Sequence, residues 1–270
     1  MEEKHLSFYQ IDYQTKEEGF VSKPHSHNHY EIFFLEKGEA SHFIDFKEYS
    51  IIDNSLFLVS KNQVHYITAE PHTYNFGYVV SISQDLFELL DKDLFQLFGS
   101  MTQSPAYQIE DKQFFSTIFQ QIKIELSKHK PKTTKIVFDL LKVLLAYVWR
   151  VSESPSSSNK SESSFLQFIT HLENNFTTIK TVKEYAQLMN ITTGQLNRIC
   201  KANSNLTTLS LIHNRINLEA KRQIFFSQRQ IKEISFQLGF EDTGHFNNFF
   251  KKMNGMTPKQ FREEMHQIFN

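Results

Sequence analysis

The chain has 270 residues, enough for two domains that each bury a core of their own. A single cysteine, Cys200, excludes an intramolecular disulfide and suits a reducing cytoplasm. The formal net charge of −1 hides an asymmetry: from Ser161 onward there are 13 Lys and Arg against 9 Asp and Glu, so the C-terminal part suits a polyanion and the acidic remainder has another task.

No apolar h-region follows a basic start, so no signal peptide is expected. The longest apolar stretch, about Ile136 to Trp149, is broken by Asp139 and Lys142 and is too short for a bilayer. The expectation is a cytoplasmic protein with no membrane partner.

From Glu31 to about Val80 the chain reads as short strands. Ile32 to Leu35, His42 to Phe46, Leu56 to Val59 and Tyr74 to Val80 are rich in β-branched and aromatic residues. Gly38, Asp53-Asn54, Lys61-Asn62 and Pro71 punctuate them, which predicts a small antiparallel barrel or sandwich. From Ser83 the period changes, and Leu86, Phe87, Leu90, Leu94, Phe95 and Phe98 fit an amphipathic helix. Two more helices are predicted over Lys112 to Ser127 and Lys132 to Val151. The second carries more apolar residues (among them Leu141 and Leu144) than one buried stripe needs, so it faces either a thick core or a partner subunit. Residues 152–164 are Ser-rich without apolar anchors and read as a flexible linker between a domain of residues 1–151 and one of residues 165–270.

Beyond the linker the pattern is all helical. Thr181-Val-Lys-Glu184, Thr192-Thr-Gly-Gln195 and Thr257-Pro-Lys-Gln260 each predict a capping box. Two phrases repeat. Val182 to Ala186 with Gln195 to Lys201 matches Ile231 to Ser235 with His245 to Lys251, at offsets of 49 and then 50. This predicts two helix–turn–helix units, about residues 181–202 and 230–253, with Asn190 and Gly239 at the turns because both tolerate a left-handed backbone.

On a helical projection Leu196, Ile199 and Cys200 fall inward in the first unit, and Phe246, Phe249, Phe250 and Met253 in the second. Asn197, Arg198 and Lys201, and Gly244, Asn248 and Lys251, fall outward, with Asn247 at the flank. These, with Thr193, Gln195, Thr243 and Lys252, are the candidate DNA-contacting residues, since Asn, Arg and Lys reach adenine, guanine and phosphate from the major groove. Residues Thr207 to Phe226 form a connecting helix of roughly 30 Å, close to the ~34 Å that separates major-groove faces one turn apart. An all-helical bundle that merely meets water is the competing reading, and the matched pair with its spacer argues against it.

Ile231 to Phe240, His245 to Lys252 and Gly255 to Arg262, with Glu219-Ala-Lys-Arg222 in the connecting helix, resemble the signature of AraC/XylS-type bacterial transcription regulators. The resemblance covers about the last 100 residues. It implies two helix–turn–helix units that read double-stranded DNA, an N-terminal sensor and dimerisation domain, a homodimer, contact with bacterial RNA polymerase, and usually activation. The first unit departs from the pattern, with Cys200 where Phe is usual and Asn205 where Gly is usual, which suggests a looser first unit.

In the N-terminal part, Gly19-x5-His25-x-His27-x3-Glu31-x6-Gly38 resembles the first motif of the cupin barrel, while of the second only His65 remains, with Asn54, Ser60 and Asn62 replacing Gly, Pro and Gly. For His25, His27, Glu31 and His65 three readings stand open: polar groups of an effector pocket, a structural strand-edge role, or a first-row metal site. The effector pocket is the reading preferred here, with no catalytic residue, no cofactor and no committed metal. His29 and His42 break the spacing and are expected at the surface. The fold class expected is α+β in two domains, a cupin-like β-barrel with dimerisation helices followed by an all-α DNA-binding domain. The function expected is a transcription regulator controlled by a small-molecule effector, a sugar being one candidate. A dimer that needs no effector and a metal-dependent cupin enzyme fused to a DNA-binding domain are the alternatives. The second lacks an intact second motif, and no nucleophile motif, phosphate loop or nucleotide fingerprint appears elsewhere.

Overall fold

The computed structural model describes residues 6–89, 97–98, 104–128, 130–152 and 160–269. They fall into two compact units, residues 1–155 and 156–270. No described helix is long and apolar enough to cross a membrane.

Among its described residues unit one has nine antiparallel strands: β1 (Leu6–Gln14), β2 (Phe20–Val21), β3 (His29–Lys37), β4 (Ala40–Ile44), β5 (Lys47–Ile51), β6 (Ser55–Val59), β7 (His65–Ala69), β8 (Tyr74–Ser83) and β9 (Ala106–Gln108). One sheet runs β1-β8-β3-β6-β9 and the other β2-β7-β4-β5. Asn54 and Asn62 take left-handed φ of 63° and 61°, so asparagine keeps the two turns where the cupin motif has glycine.

The five-stranded sheet is covered on both faces, which is why Ile32 to Leu35 and Leu56 to Val59 are unbroken apolar runs rather than alternating ones. Phe33, Leu35, Phe57 and Val59 point between the sheets and pack with Ile11, Ile44 and Ile51. Tyr30, Ile32, Phe34, Leu56 and Leu58 point the other way, onto α2 (Lys112–Ser127) and α3 (Thr133–Ser152). Phe115, Phe119, Ile122, Val137, Leu141, Leu144, Leu145 and Val148 of these helices are fully buried in that layer. The apolar excess of α3 is therefore mostly core. What it leaves exposed is Ile136 and Val143, at 45% and 51% of their surface. Of the helix expected after Ser83, only α1 (Gln84–Phe87) is formed among the described residues, and residues 90–96 lie outside them.

Unit two is all helical: α4 (Lys160–Asn175), α5 (Val182–Leu188), α6 (Thr193–Ser204), α7 (Thr208–Phe226), α8 (Ile231–Gln237), α9 (Thr243–Asn254) and α10 (Pro258–Phe269). The start of α4 at Lys160 corrects the linker reading, because residues 160–164 are helix; residues 153–159 lie outside the described residues. Serine lacks a strong helix preference, but the apolar spacing of Phe165, Phe168, Ile169 and Leu172 behind it propagates the helix back through it. The three expected capping boxes form at Thr181, Thr192 and Thr257.

Candidate functional site

The two helix–turn–helix units, α5–α6 and α8–α9, repeat in structure as in sequence. Asn190 and Gly239 hold the turns at φ of 53° and 76°, and Asn205 and Gly255 end α6 and α9 at φ of 58° and 78°. A Cβ on Gly239 would collide with the Thr177 carbonyl oxygen, so the turn of the second unit packs against the segment after α4. Lys180 ties the same junction. Its Nζ donates to the Phe176 and Leu238 carbonyls and sits 5.0 Å from the Phe240 ring centroid, and burial pulls its pKa down to about 8.

Inside the units, Leu196 and Cys200 are buried in the first and Phe246 and Phe250 in the second. Cys200 does not leave the first unit short of bulk, because Tyr185 stands fully buried where the second unit has Ile234. Tyr185 packs edge-on to Phe168 and donates its hydroxyl to the Ile179 carbonyl. In the second unit Phe240, Phe246, Phe250 and Phe261 form a chain of ring contacts with centroids 5.2 to 6.0 Å apart.

The opposite faces carry the candidate DNA contacts. Thr193, Gln195, Arg198 and Lys201 are exposed, as are Gly244, Asn248, Lys251 and Lys252; Thr243 and Asn247 are half-buried. Asn197, expected outward, is half-buried, and its Oδ1 accepts a hydrogen bond from the Thr208 backbone N–H. That bond diverts it into capping α7. At the matching place in the second unit Pro258 has no N–H to offer Asn247, so the two units are not chemically equivalent.

Sequence reading missed what holds α7 against α4. Arg215 donates Nε to Glu173 at 2.7 Å and Nη1 to Glu219 at 3.2 Å, and its guanidinium lies 3.8 Å from the Phe176 centroid. Glu219 also meets Arg222 at 3.5 Å, which is the physical role of the Glu219-Ala-Lys-Arg222 phrase. Arg262 of α10 donates to the Ile224 and Arg229 carbonyls, the first of which lies in the last turn of α7. The charged pairs were invisible as pairs because their members lie 42 residues apart or alternate along one helix.

Unit one brings together all four of the residues singled out there. Alternation along β3 sends Glu31 to the inter-sheet side with Phe33 and Leu35, and His65 enters from β7. Glu31 Oε2 lies 3.3 Å from His27 Nε2 and 3.6 Å from His65 Nε2. The His25 and His65 backbones bridge each other through two hydrogen bonds of 3.1 and 2.9 Å, which sets their rings 4.3 Å apart. Burial alone would raise the Glu31 carboxyl, but the imidazoles of His27 and His65 outweigh it and hold it well below the usual carboxylate range.

The expectation for His29 and His42 is corrected. His29 is half-buried, stacks on His27 at 3.7 Å and bonds Glu31 Oε1 at 3.1 Å. His42 is almost fully buried against Phe33, Phe57 and His65, and among the described residues neither ring nitrogen finds a hydrogen-bond partner. Burial drives its pKa well below the ordinary imidazole value. Spacing could not find it, but the register does: His42 shares a face with Ile44 on β4 and so points between the sheets.

Comparison with known proteins agrees with both halves. A helix-turn-helix domain family matches residues 185–264, and an AraC-like ligand binding domain family matches residues 7–146, more than half of the chain. The chain is 21% identical over 250 residues to the HTH-type transcriptional activator RhaS of Yersinia pseudotuberculosis serotype I, covering 89% of each. It is 23% identical over 255 residues to RhaS of Klebsiella pneumoniae, covering 88% of this chain and 87% of that one. ToxT from Vibrio cholerae has the same fold, with a TM-score of 0.50 at 15% identity over 97% of this chain and 98% of its own. A two-sheet domain followed in sequence by paired helix–turn–helix units, with a family match to each, establishes that the chain belongs to the AraC family of DNA-binding transcription regulators.

Proposed function

We propose that this protein activates transcription as a homodimer, reading two successive major-groove faces of double-stranded DNA with α6 and α9 and contacting RNA polymerase while so bound. One observation carries the reading. Over ten residues, Thr192 to Lys201 and Asp242 to Lys251, the two helices share the same order of buried and exposed positions at nine places, all but Thr193 and Thr243, so both present a polar face over a closed core. At ~1.5 Å per residue, α7 is about 28 Å long and spaces the units to suit adjacent turns of a duplex. The RhaS proteins are activators by name, and their similarity along nearly the whole chain supports activation here.

In this reading Arg198 and Asn248 read bases, Lys201, Lys251 and Lys252 meet phosphates, and Thr193, Gln195, Thr243, Gly244 and Asn247 line the groove. Asn197 supports the first unit from behind. Unit one receives a small-molecule effector between its sheets, where His42 and the cluster of His25, His27, Glu31 and His65 supply polar groups in an otherwise apolar wall. No step of this reading requires bond-breaking chemistry.

DNA affinity measured across a salt series tests it. Each phosphate contact adds about 0.9 to the slope of log affinity against log salt. Lys252→Ala should therefore lower that slope by about one and weaken specific and non-specific duplexes alike. A loss confined to one base position would instead make Lys252 a sequence reader.

A further inference from the structure

Besides α7, a second connection joins the two reading units. It runs through residues 176–180, between α4 and α5. On the side of the first unit, the Ile179 N–H donates to the Asn175 carbonyl at 2.8 Å, and the Ile179 carbonyl accepts from the Tyr185 hydroxyl at 3.2 Å. The segment is thereby fixed to the core of the first unit, and the residue after it, Thr181, caps α5. On the side of the second unit, Lys180 Nζ donates to the Leu238 carbonyl, while a further bond of 3.3 Å to the Phe176 carbonyl holds it to its own segment. Leu238 ends α8, and the same ammonium lies 5.0 Å from the centroid of Phe240, whose ring meets Phe246 and Phe249 of α9 at 5.2 and 5.3 Å. A continuous path of contacts therefore runs from Tyr185 to Phe246 without passing through α7.

The chemistry of that path is directional. Phe176 and Leu238 stand at the ends of α4 and α8, where carbonyl oxygens lack an intrahelical donor and carry the negative end of the helix dipole. Lys180 Nζ sits between these two ends, and among the described residues no charge offsets the burial that lowers its pKa. A half-buried ammonium is a costly way to fill space, since methionine would fill it with no charge to desolvate. What the ammonium adds is three N–H donors that can hold oxygens of two separate helices at one point. Gly239 leaves room for the lysine stem, because a Cβ there would lie 3.1 Å from Lys180 Cε.

We infer that Lys180 is a positioning residue for DNA recognition, a strut that fixes the separation and rotation of α9 relative to α6. This role rests on the proposed reading that both helices contact DNA. Two linked modules gain affinity from the effective concentration of the second at its own site, and the gain falls when the linkage loosens. With the strut in place, the second unit meets its groove already oriented once the first is bound, so the gain belongs to one spacing of the two half-sites. One base pair inserted between the halves moves the second by ~3.4 Å and turns it by about 35°. A strutted pair resists that change and a loosened pair follows it.

Fluorescence anisotropy of the full-length chain on three duplexes tests the strut: the site that the parent selects from a random pool, the same site with one half scrambled, and the same site with one base pair inserted between the halves. The parent should lose at least about tenfold in affinity on each altered duplex. Lys180→Met keeps the stem and removes the donors. It should lose at least about tenfold on the intact site, bind the half-scrambled duplex as the parent does, and lose about threefold or less on insertion. Lys180→Gln, still polar but too short to span the two carbonyls, should behave in the same way and decides the matter where the methionine variant fails to fold. An equal loss on all three duplexes would make Lys180 a residue of the fold alone, and parent-like binding to all three would make it idle; either result overturns the role. A parent that loses nothing when one half is scrambled would refute the reading with two faces, and the strut with it.

Discussion

Replacing Leu141 with Glu is expected to unfold unit one, whereas replacing Val143, two residues away on the same helix, is expected to leave it folded and monomeric. Leu141 is fully buried in the layer between α2, α3 and the five-stranded sheet, where Phe115, Phe119 and Leu144 belong to the same cluster. A carboxylate there is an uncompensated buried charge, which costs roughly 3–5 kcal/mol. That is a large part of the ~5–15 kcal/mol that holds a domain together. Leu144→Glu should do the same. Val143 is 51% exposed and lies on one stripe with Ile136 and the half-buried Leu140, the apolar surface on which the proposed homodimer would form. Circular dichroism and sedimentation on both variants separate the two roles. A folded Leu141→Glu monomer would mean that α3 turns its main face to a partner instead of the sheet, and a Val143→Glu dimer would place the subunit contact elsewhere.

The second large effect belongs to unit two. Phe250→Ala should destabilise it by roughly 3–5 kcal/mol and abolish DNA binding, since it empties the middle of the chain Phe240, Phe246, Phe250 and Phe261. Cys200→Ala, at the matching position, should cost only about 1 kcal/mol, because the first unit draws its bulk from Tyr185 and Phe168. Gly239→Ala should also be severe, combining a left-handed backbone at φ 76° with a Cβ driven onto the Thr177 carbonyl. Thermal unfolding of unit two in the three variants measures the order. Equal losses for Phe250→Ala and Cys200→Ala would show that the two cores are built alike.

Much of unit two was readable because its signals are local. A capping box spans four residues, a turn is marked by one Asn or Gly, and the repeat at offsets of 49 and 50 needs no knowledge of tertiary structure. Unit one depends on pairings between distant segments. Strand β1 escaped notice because its buried positions alternate weakly and it pairs with β8 some seventy residues on, Phe8 with Val80 and Ile11 with Gly77. The faces of β3 and α3 could not be assigned from composition, since a sheet covered on both sides gives no alternation and a helix over a thick core looks like one at a subunit contact. Spacing brought His25, His27, Glu31 and His65 together but misplaced His29 and His42, whose positions follow from register and packing. Asn197 was misjudged for a similar reason: the projection gives an angle, and only the packed structure shows the Thr208 N–H that claims its side chain.

Selecting binding sites from a random duplex pool with the parent protein, Arg198→Ala and Asn248→Ala shows whether α6 and α9 present two separate base-reading faces. Arg pairs best with guanine and Asn with adenine, each bidentate contact contributing roughly 1–3 kcal/mol of discrimination. Both side chains are exposed, so neither change should alter folding. The presence of two base-reading faces predicts that each variant loses preference at one position of the parent site and keeps the rest, and that the two positions lie about one helical turn, ~10 base pairs, apart. Retention of the full parent preference by both variants would contradict it.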